Sequence, residues 1–321
     1  MKVCYENEVY FLGLVWLSII GCYDEDDIVV DDKQELTYAL GVGHDYDEIL
    51  HEWHNKYGFY PLYVFTDRDI YWNNTIWDNP NLDVWKGKCL GRPGDPDYVG
   101  KQVDLLGKVF MEIYPDELLK HFPLKMLLCR DLYETKYAVT YDPIAGAWLP
   151  GYDSTAIWTY RGYDFIAVNG ASKQMEEMTM DDKCDLQTSL NATFLEYLGV
   201  KGVLTAPEEF FEVSDYWYEY LRGDDLFEQG YIMDVLVDGD EEESQKADFA
   251  SYIKLAAYNM ATLKNSPDKS LDGDSRPSWV GALNPEERDV NGLCGRKYEI
   301  VIRYLKSLGI DTGKLQYPVL D

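Results

Sequence analysis

Few residues in this chain could do chemistry by type and spacing, and the clearest is a thiol. Cys22 closes the run Leu17, Ser18, Ile19, Ile20, Gly21, Cys22 and is followed at once by Asp24, Glu25, Asp26 and Asp27. A cysteine behind an apolar stretch and a small residue is where a lipoprotein signal is processed: diacylglycerol is transferred to the sulfur and the chain is cut before it. The apolar run from Val9 to Gly21 is shorter than the roughly 20 residues of a membrane span and fits a signal h-region of about 7 to 15. Lys2 is the sole basic residue ahead of that run, and Glu6 and Glu8 oppose the positive charge such segments usually carry.

Histidine chemistry must draw on His44, His51, His54 and His121. His51, Glu52, Trp53 and His54 superficially match a zinc-protease helix, but that motif spaces its imidazoles at i and i+4, and here the spacing is i and i+3. These positions read as the polar side of a helix that buries Leu50 and Trp53. Asp268, Ser270, Asp272, Gly273 and Asp274 match the opening of a calcium loop, yet Trp279 stands where a bidentate Glu should close the coordination sphere, so an acidic turn is expected. Paired carboxylates for glycoside hydrolysis converge in space rather than along the chain, and 58 Asp and Glu offer too many pairs to choose from. No nucleophile elbow, phosphate loop or dinucleotide fingerprint is present. Aromatic clusters at Tyr71, Trp72 and Trp77, at Trp148, Trp158 and Tyr160, and from Tyr216 to Tyr220 could stack on sugar rings, though packing is the commoner use of such rings.

The charge balance narrows the function. Against 58 acids stand 29 Lys and Arg, a formal charge of −29, which repels nucleic acid and excludes it as a partner. Abundant aromatics (27 Tyr, 9 Trp, 11 Phe) argue for a folded domain rather than acidic disorder. Beyond Cys4 and Cys22, four cysteines remain, Cys89, Cys129, Cys184 and Cys294, with no CxxC pair. Outside the cytoplasm they could form two disulfides in any of three connectivities, or stay as isolated buried thiols.

Stepping outward to the elements, Tyr23 to Glu35 is an acidic tether without periodicity. Tyr46, Ile49, Leu50, Trp53 and Tyr57 predict a helix from about Asp45 to Tyr57, with a strand at Pro61 to Phe65. The Gly- and Pro-rich segment Asp78 to Gly100 reads as a long loop, and Leu106, Val109, Phe110 and Ile113 mark a second helix. Short strands are expected at Lys125 to Cys129, Tyr137 to Thr140 and Tyr163 to Val168. Three further helices follow: one along Leu186, Leu190, Phe194 and Tyr197 or Leu198, one along Phe249, Ile253, Ala256 and Met260, one along Tyr298, Val301, Ile302 and Leu305. Asp238 to Glu243 and Asn265 to Gly292 read as surface loops. The class is α+β, a small mixed sheet with a helical C-terminal half, and no repeat or linker divides it.

Several segments in shared order resemble the zinc-binding metallopeptidase lipoproteins of gut bacteria, which have a gluzincin-like fold. These are Ile49 to Leu62, Tyr98 to Leu128, Tyr163 to Gly170, Pro207 to Ser214 and Lys297 to Leu315, together spanning most of the chain after the signal. Residues 1–21 are expected as signal peptide and 22–36 as acidic tether, and the resemblance implies 37–321 as one metallopeptidase-like zincin domain. The acids after Cys22 are similar to the signal that sends lipoproteins of some Gram-negative gut bacteria to the outer face of the outer membrane, so a surface-exposed, lipid-anchored protein is expected.

The family's active helix carries HExxH, two zinc-binding imidazoles and a Glu that activates water. Here the matching helix reads Asn191, Ala192, Thr193, Phe194, Leu195, Glu196, Tyr197, Leu198, with Ala192 and Thr193 at the first His and the Glu, and Glu196 at the second His. His121 is the last histidine in the chain. Downstream, where the family has an acidic motif near its metal, Asp248 is retained within Ala247 to Ser251. The expectation is a degenerate metallopeptidase with no catalytic residues, no metal ligands and no cofactor. Glu196, Tyr197 and Asp248 are the candidate ligand contacts, in a binding or accessory role in nutrient uptake toward a peptide, a glycan or a protein of a surface complex. Two alternatives stand beside it: an active peptidase or glycosidase that works with carboxylates, and a structural subunit of a surface complex.

Overall fold

The computed structural model describes residues 38–71, 89–217, 221, 224–267 and 279–317. The signal segment, Cys22, the tether to residue 36, Trp72, Trp77, residues 218–220 and the acidic turn from Asp268 to Asp274 lie outside the described residues.

The first helix, α1 (Asp47–Tyr57), has Asp47 and Glu48 in its first turn and His54 and Lys56 in its last, charges that suit the helix dipole. It buries Leu50 and Trp53 as the periodicity predicts, and stops at Gly58, whose φ of 85° only glycine adopts readily. β1 (Tyr60–Leu62) and α2 (Asp67–Tyr71) follow. Two elements begin inside the segment expected to be a loop: β2 (Cys89–Pro93) and α3 (Pro96–Leu106). The prolines that suggested a loop are start signals, since Asp95 caps the backbone N–H of Asp97 and Pro96 takes the first helical position, where no N–H is needed. α3 runs on into one π-helical turn, Gly107–Met111, which keeps Val109, Phe110 and Met111 buried, and α4 (Asp116–Leu119) follows.

The expected strands at 125–129 and 137–140 are two ends of one strand, β3 (Lys125–Asp142), 18 residues long. Its hairpin partner β4 (Ala147–Ala156) escaped the sequence pattern because Pro150 and Gly151 interrupt the run. β4 pairs only with β3 among the described residues, an edge position of the kind where proline is tolerated. β5 (Thr159–Arg161) and β6 (Phe165–Val168) complete the sheet. Its order is β1-β3-β6-β5, with β1 and β6 parallel to the start of β3 and β5 antiparallel at the edge. β2 and β4 pair antiparallel with the rest of β3.

The C-terminal half is helical. After α5 (Gln174–Glu177) comes α6 (Met180–Val200), opened by a capping box between Thr179 and Asp182. Leu186, Leu190, Phe194 and Leu198 are buried along it as expected. Two buried amides fix its position: Asn191 donates to the carbonyl of Val109 at 2.9 Å, and Gln187 donates to that of Leu315 at 3.0 Å. Then come α7 (Glu208–Phe211), α8 (Asp224–Glu228) and α9 (Glu241–Leu255). Glu241 to Glu243, expected in a loop, form the first turn of α9, where carboxylates meet the positive end of the helix. Met260, expected on the same helix, opens α10 (Met260–Lys264) behind an Asn259 cap. α11 (Leu293–Ser307) and α12 (Thr312–Gln316) end the chain's described part.

One core joins sheet and helices. Phe194 of α6 meets Phe110, Tyr114 and Phe122 at ring-centroid distances of 5.2, 5.0 and 5.5 Å, and Met126, Leu128, Ile166 and Val168 of the sheet belong to the same cluster. Residues 40–321 form a single unit of the α+β class. Among the described residues no helix is long and apolar enough to cross a membrane.

Candidate functional site

The helix expected from the sequence to correspond to a metallopeptidase's active helix is α6, and it lies against β5, the edge strand among the described residues. Hydroxyl groups stitch the two together: Thr159 Oγ1 of β5 is 2.6 Å from Ser189 Oγ and 3.0 Å from Thr193 Oγ1. Ala192 points into the core and is 3% exposed. Glu196, one turn beyond Ala192, faces Lys254 of α9 at 3.5 Å, with both side chains about one third exposed (33% and 29%). Lys254 also sits 5.8 Å from the ring of Trp279, which stacks on Tyr258 at 5.6 Å. Tyr197 is half-buried, with Lys201 Nζ 5.8 Å from its ring.

Burial raises the hydroxyl pKa values on this face. At Tyr258 the negative charges of Glu196 and Asp185 push further in the same direction, and at Tyr197 the positive charge of Arg161 opposes. The carboxyl of Asp185, on the same helix, is also raised, by partial burial and then by Asp182 and Asp181. Two contact sets therefore line α6: the hydroxyls of Ser189 and Thr193 meet Thr159 of β5, and Glu196 meets Lys254, which lies over the Trp279 ring stacked on Tyr258.

Zinc of the family's kind needs three protein ligands and a base. At the motif positions α6 offers a methyl group, a hydroxyl already bonded to Thr159 and one carboxylate that faces an ammonium group. These residues do not fit the metal, and no step is derived through it. The histidines of α1 are held elsewhere by backbone carbonyls: His51 Nε2 lies 3.1 Å from the oxygen of Gly41, and His54 Nδ1 lies 2.9 Å from that of Phe59. Among the described residues no group of three or more His, Cys, Asp or Glu could hold a metal ion.

Asp248 is not brought to this face. Its carboxylate is wholly buried and bonded at 2.6 Å to Lys297 Nζ of α11, also wholly buried. Expected as a ligand contact, the Asp248 side chain is instead shut away from the surface. Tyr216 donates to the same oxygen at 2.6 Å, and Lys297 donates to the carbonyl of Gly230 at 3.1 Å. The rings of Phe210, Tyr216, Tyr231 and Tyr252 surround the ammonium at 5.1, 5.2, 4.6 and 5.7 Å. Burial raises the Asp248 carboxyl pKa and lowers that of Lys297, while each charge works against the shift of the other. Sequence reasoning missed Lys297, although its signal was present. Lys297 sits three residues after Cys294 and four before Val301, in the apolar stripe of α11.

All four described cysteines are free. Cys89, Cys129 and Cys294 are buried, and the Cys89 thiol is pushed up to about 12 by desolvation and by Glu134.

Taken by class, fold and face define an α+β domain with a helix-and-edge-strand surface. Set beside known proteins, the chain matches no protein-family model, no curated protein and no solved structure.

Proposed function

We propose that this chain is a surface-anchored lipoprotein whose metallopeptidase-like, gluzincin-type domain has exchanged zinc chemistry for binding, and that it holds an extended peptide as an accessory to nutrient uptake. The observation that carries this reading is the juxtaposition of β5 and α6. An edge strand offers backbone donors and acceptors to an added strand, and neighbouring side chains select the residues of the guest. Further along α6, Glu196 and Lys254 supply a charge of each sign, and Trp279 with Tyr258 supplies an apolar platform. The motif positions hold no imidazole pair and no free base, which favours binding over water activation there. Cys22 supplies the lipid anchor in this reading, and the −29 charge keeps nucleic acid away.

Peptide libraries of about ten residues passed over the immobilised chain test it. Intact peptides should be retained, and Glu196→Lys should reverse the charge preference of the retained set. Cleaved peptides, or no retention at all, would overturn the proposal.

A further inference from the structure

The β3–β4 hairpin leaves the body of the molecule as a two-stranded ribbon. β2 follows β3 only as far as Glu134, the partner of Cys89, and beyond it β3 is paired with β4 alone among the described residues. From Val139 to Leu149 every side chain is exposed except the half-buried Asp142, and Ile144 at the tip is 97% exposed. Such a ribbon is marginal in water on its own.

Its composition sets it apart from the rest of the molecule. Between Tyr137 and Pro150 the single charged residue is Asp142, in a chain that is 27% charged. Even this carboxylate is occupied, since its Oδ1 accepts from the backbone N–H of Ile144 at 2.7 Å and of Ala145 at 3.2 Å. The apolar groups are layered along the ribbon. Ile144 is outermost; Tyr141 and Trp148 come next, register partners whose rings meet edge to face at 5.5 Å. Charge returns at the register partners Lys136 and Asp153. The tip lies one strand residue and half of a four-residue turn beyond the aromatic pair, about 6–8 Å at the rise of a strand. That is comparable to the ~5–10 Å to which apolar side chains enter a membrane interface, where Trp and Tyr favour the headgroup level.

The face of Tyr141 and Trp148 is apolar, and the opposite face sets Leu149 and Ala147 beside Thr140 and Asp142, whose carboxylate is bonded to the turn backbone. Side chains alternate along a strand, so Leu149 lies on the face opposite Trp148, and both are exposed. A protein groove would ask for one apolar face, whereas a bilayer touches both. A second copy of the chain would bring a second charge of −29 to the contact.

We propose that the tip of this hairpin inserts into the interfacial layer of a bilayer with zwitterionic headgroups. Ile144 enters the acyl boundary and Tyr141 and Trp148 sit among the headgroups. The ribbon from Tyr137 to Pro150 has no Lys or Arg to attract anionic lipid, and the acidic body is repelled by it. The contact depends neither on acylation of Cys22 nor on the peptide face.

The test uses the full chain with phosphatidylcholine vesicles whose acyl chains carry or lack bromine on the carbons nearest the headgroup, a short-range quencher of indole fluorescence at the depth assigned to Trp148. The chain has nine Trp, so the Trp148 signal is taken as the difference between the protein and its Trp148→Phe variant. That signal should be roughly halved by bromine in zwitterionic vesicles, and Ile144→Asp should restore it. Both side chains are exposed, and unchanged melting of each variant verifies that the fold persists. A Trp148 signal indifferent to bromine would overturn the proposal, as would quenching that survives Ile144→Asp. Self-association lost in Ile144→Asp would assign the tip to a second copy instead and overturn it equally.

Discussion

At the scale of single residues, the buried pair Asp248 and Lys297 carries the sharpest consequences. Removing one partner leaves the other charge buried among aromatic rings, so Lys297→Met should cost about 3–5 kcal/mol by denaturant unfolding. Replacing both with apolar residues should recover most of that loss. The pH dependence follows from the directions of the shifts. A carboxyl raised by burial makes the folded state bind more protons, so stability falls as pH rises from the ordinary carboxylate value to the raised one. A lowered lysine does the opposite between its lowered value and the ordinary amine value. In the intact protein the two opposing slopes cancel wherever these windows overlap; Lys297→Met unmasks the first, and the variant should lose more stability at pH 8 than at pH 5. Thiol accessibility gives an independent check: maleimide should label half-buried Cys184 in the native protein, and Cys89, Cys129 and Cys294 only after unfolding. Residue types on periodic faces were legible in the sequence, as Leu50, Phe194 and Val301 show. Pairing across about fifty residues was not: Asp248 could be singled out from a motif, but nothing local says that it turns inward to a lysine rather than outward to a ligand.

At the scale of elements, the start of α6 is fixed by the reciprocal bonds of Thr179 and Asp182. Thr179→Ala should cost about 1 kcal/mol in thermal or chemical unfolding. The same cap lowers the Asp182 carboxyl pKa, first through the Thr179 hydroxyl and then through its backbone N–H. Its contribution is complete above the ordinary carboxylate value and is lost as pH falls through the lowered value; Asp182→Asn should therefore flatten the acid limb of the stability profile. The helices were legible because their apolar stripes repeat over several turns. The strands were read in fragments, for reasons visible in particular residues. Pro150 and Gly151 break the alternation of β4, and β3 passes from a buried parallel setting at Leu127 and Leu128 to an exposed ribbon at Val139 and Tyr141, so no single pattern describes it. The β5 edge is only three residues long, too short for any periodicity to announce it.

At the scale of the whole molecule, charge and metal content give two measurements. A body of net charge −29 repels itself, so raising salt from about 10 mM to about 150 mM should raise the melting temperature. Zinc added and dialysed away should leave less than roughly a tenth of an equivalent by mass spectrometry; stoichiometric metal removed by a chelator would overturn the reading of α6. The overall class was legible, since a mixed sheet and a helical half follow from the order of periodic segments. The surroundings of α6 were only half legible: Glu196 and Tyr197 could be singled out by motif, but Lys254, Tyr258 and Trp279 reach Glu196 from distant parts of the chain. One consequence of the long strand β3 reaches across the molecule. Met126 and Leu127 are locked between β1 and β6, and a slip of one residue would turn every side chain of the strand to the opposite face. The pairing with β2 then shifts by one residue between Arg92 and Pro93, so the side on which Tyr141 stands is set jointly by the dry start of the strand and by that irregularity, before the exposed arm begins.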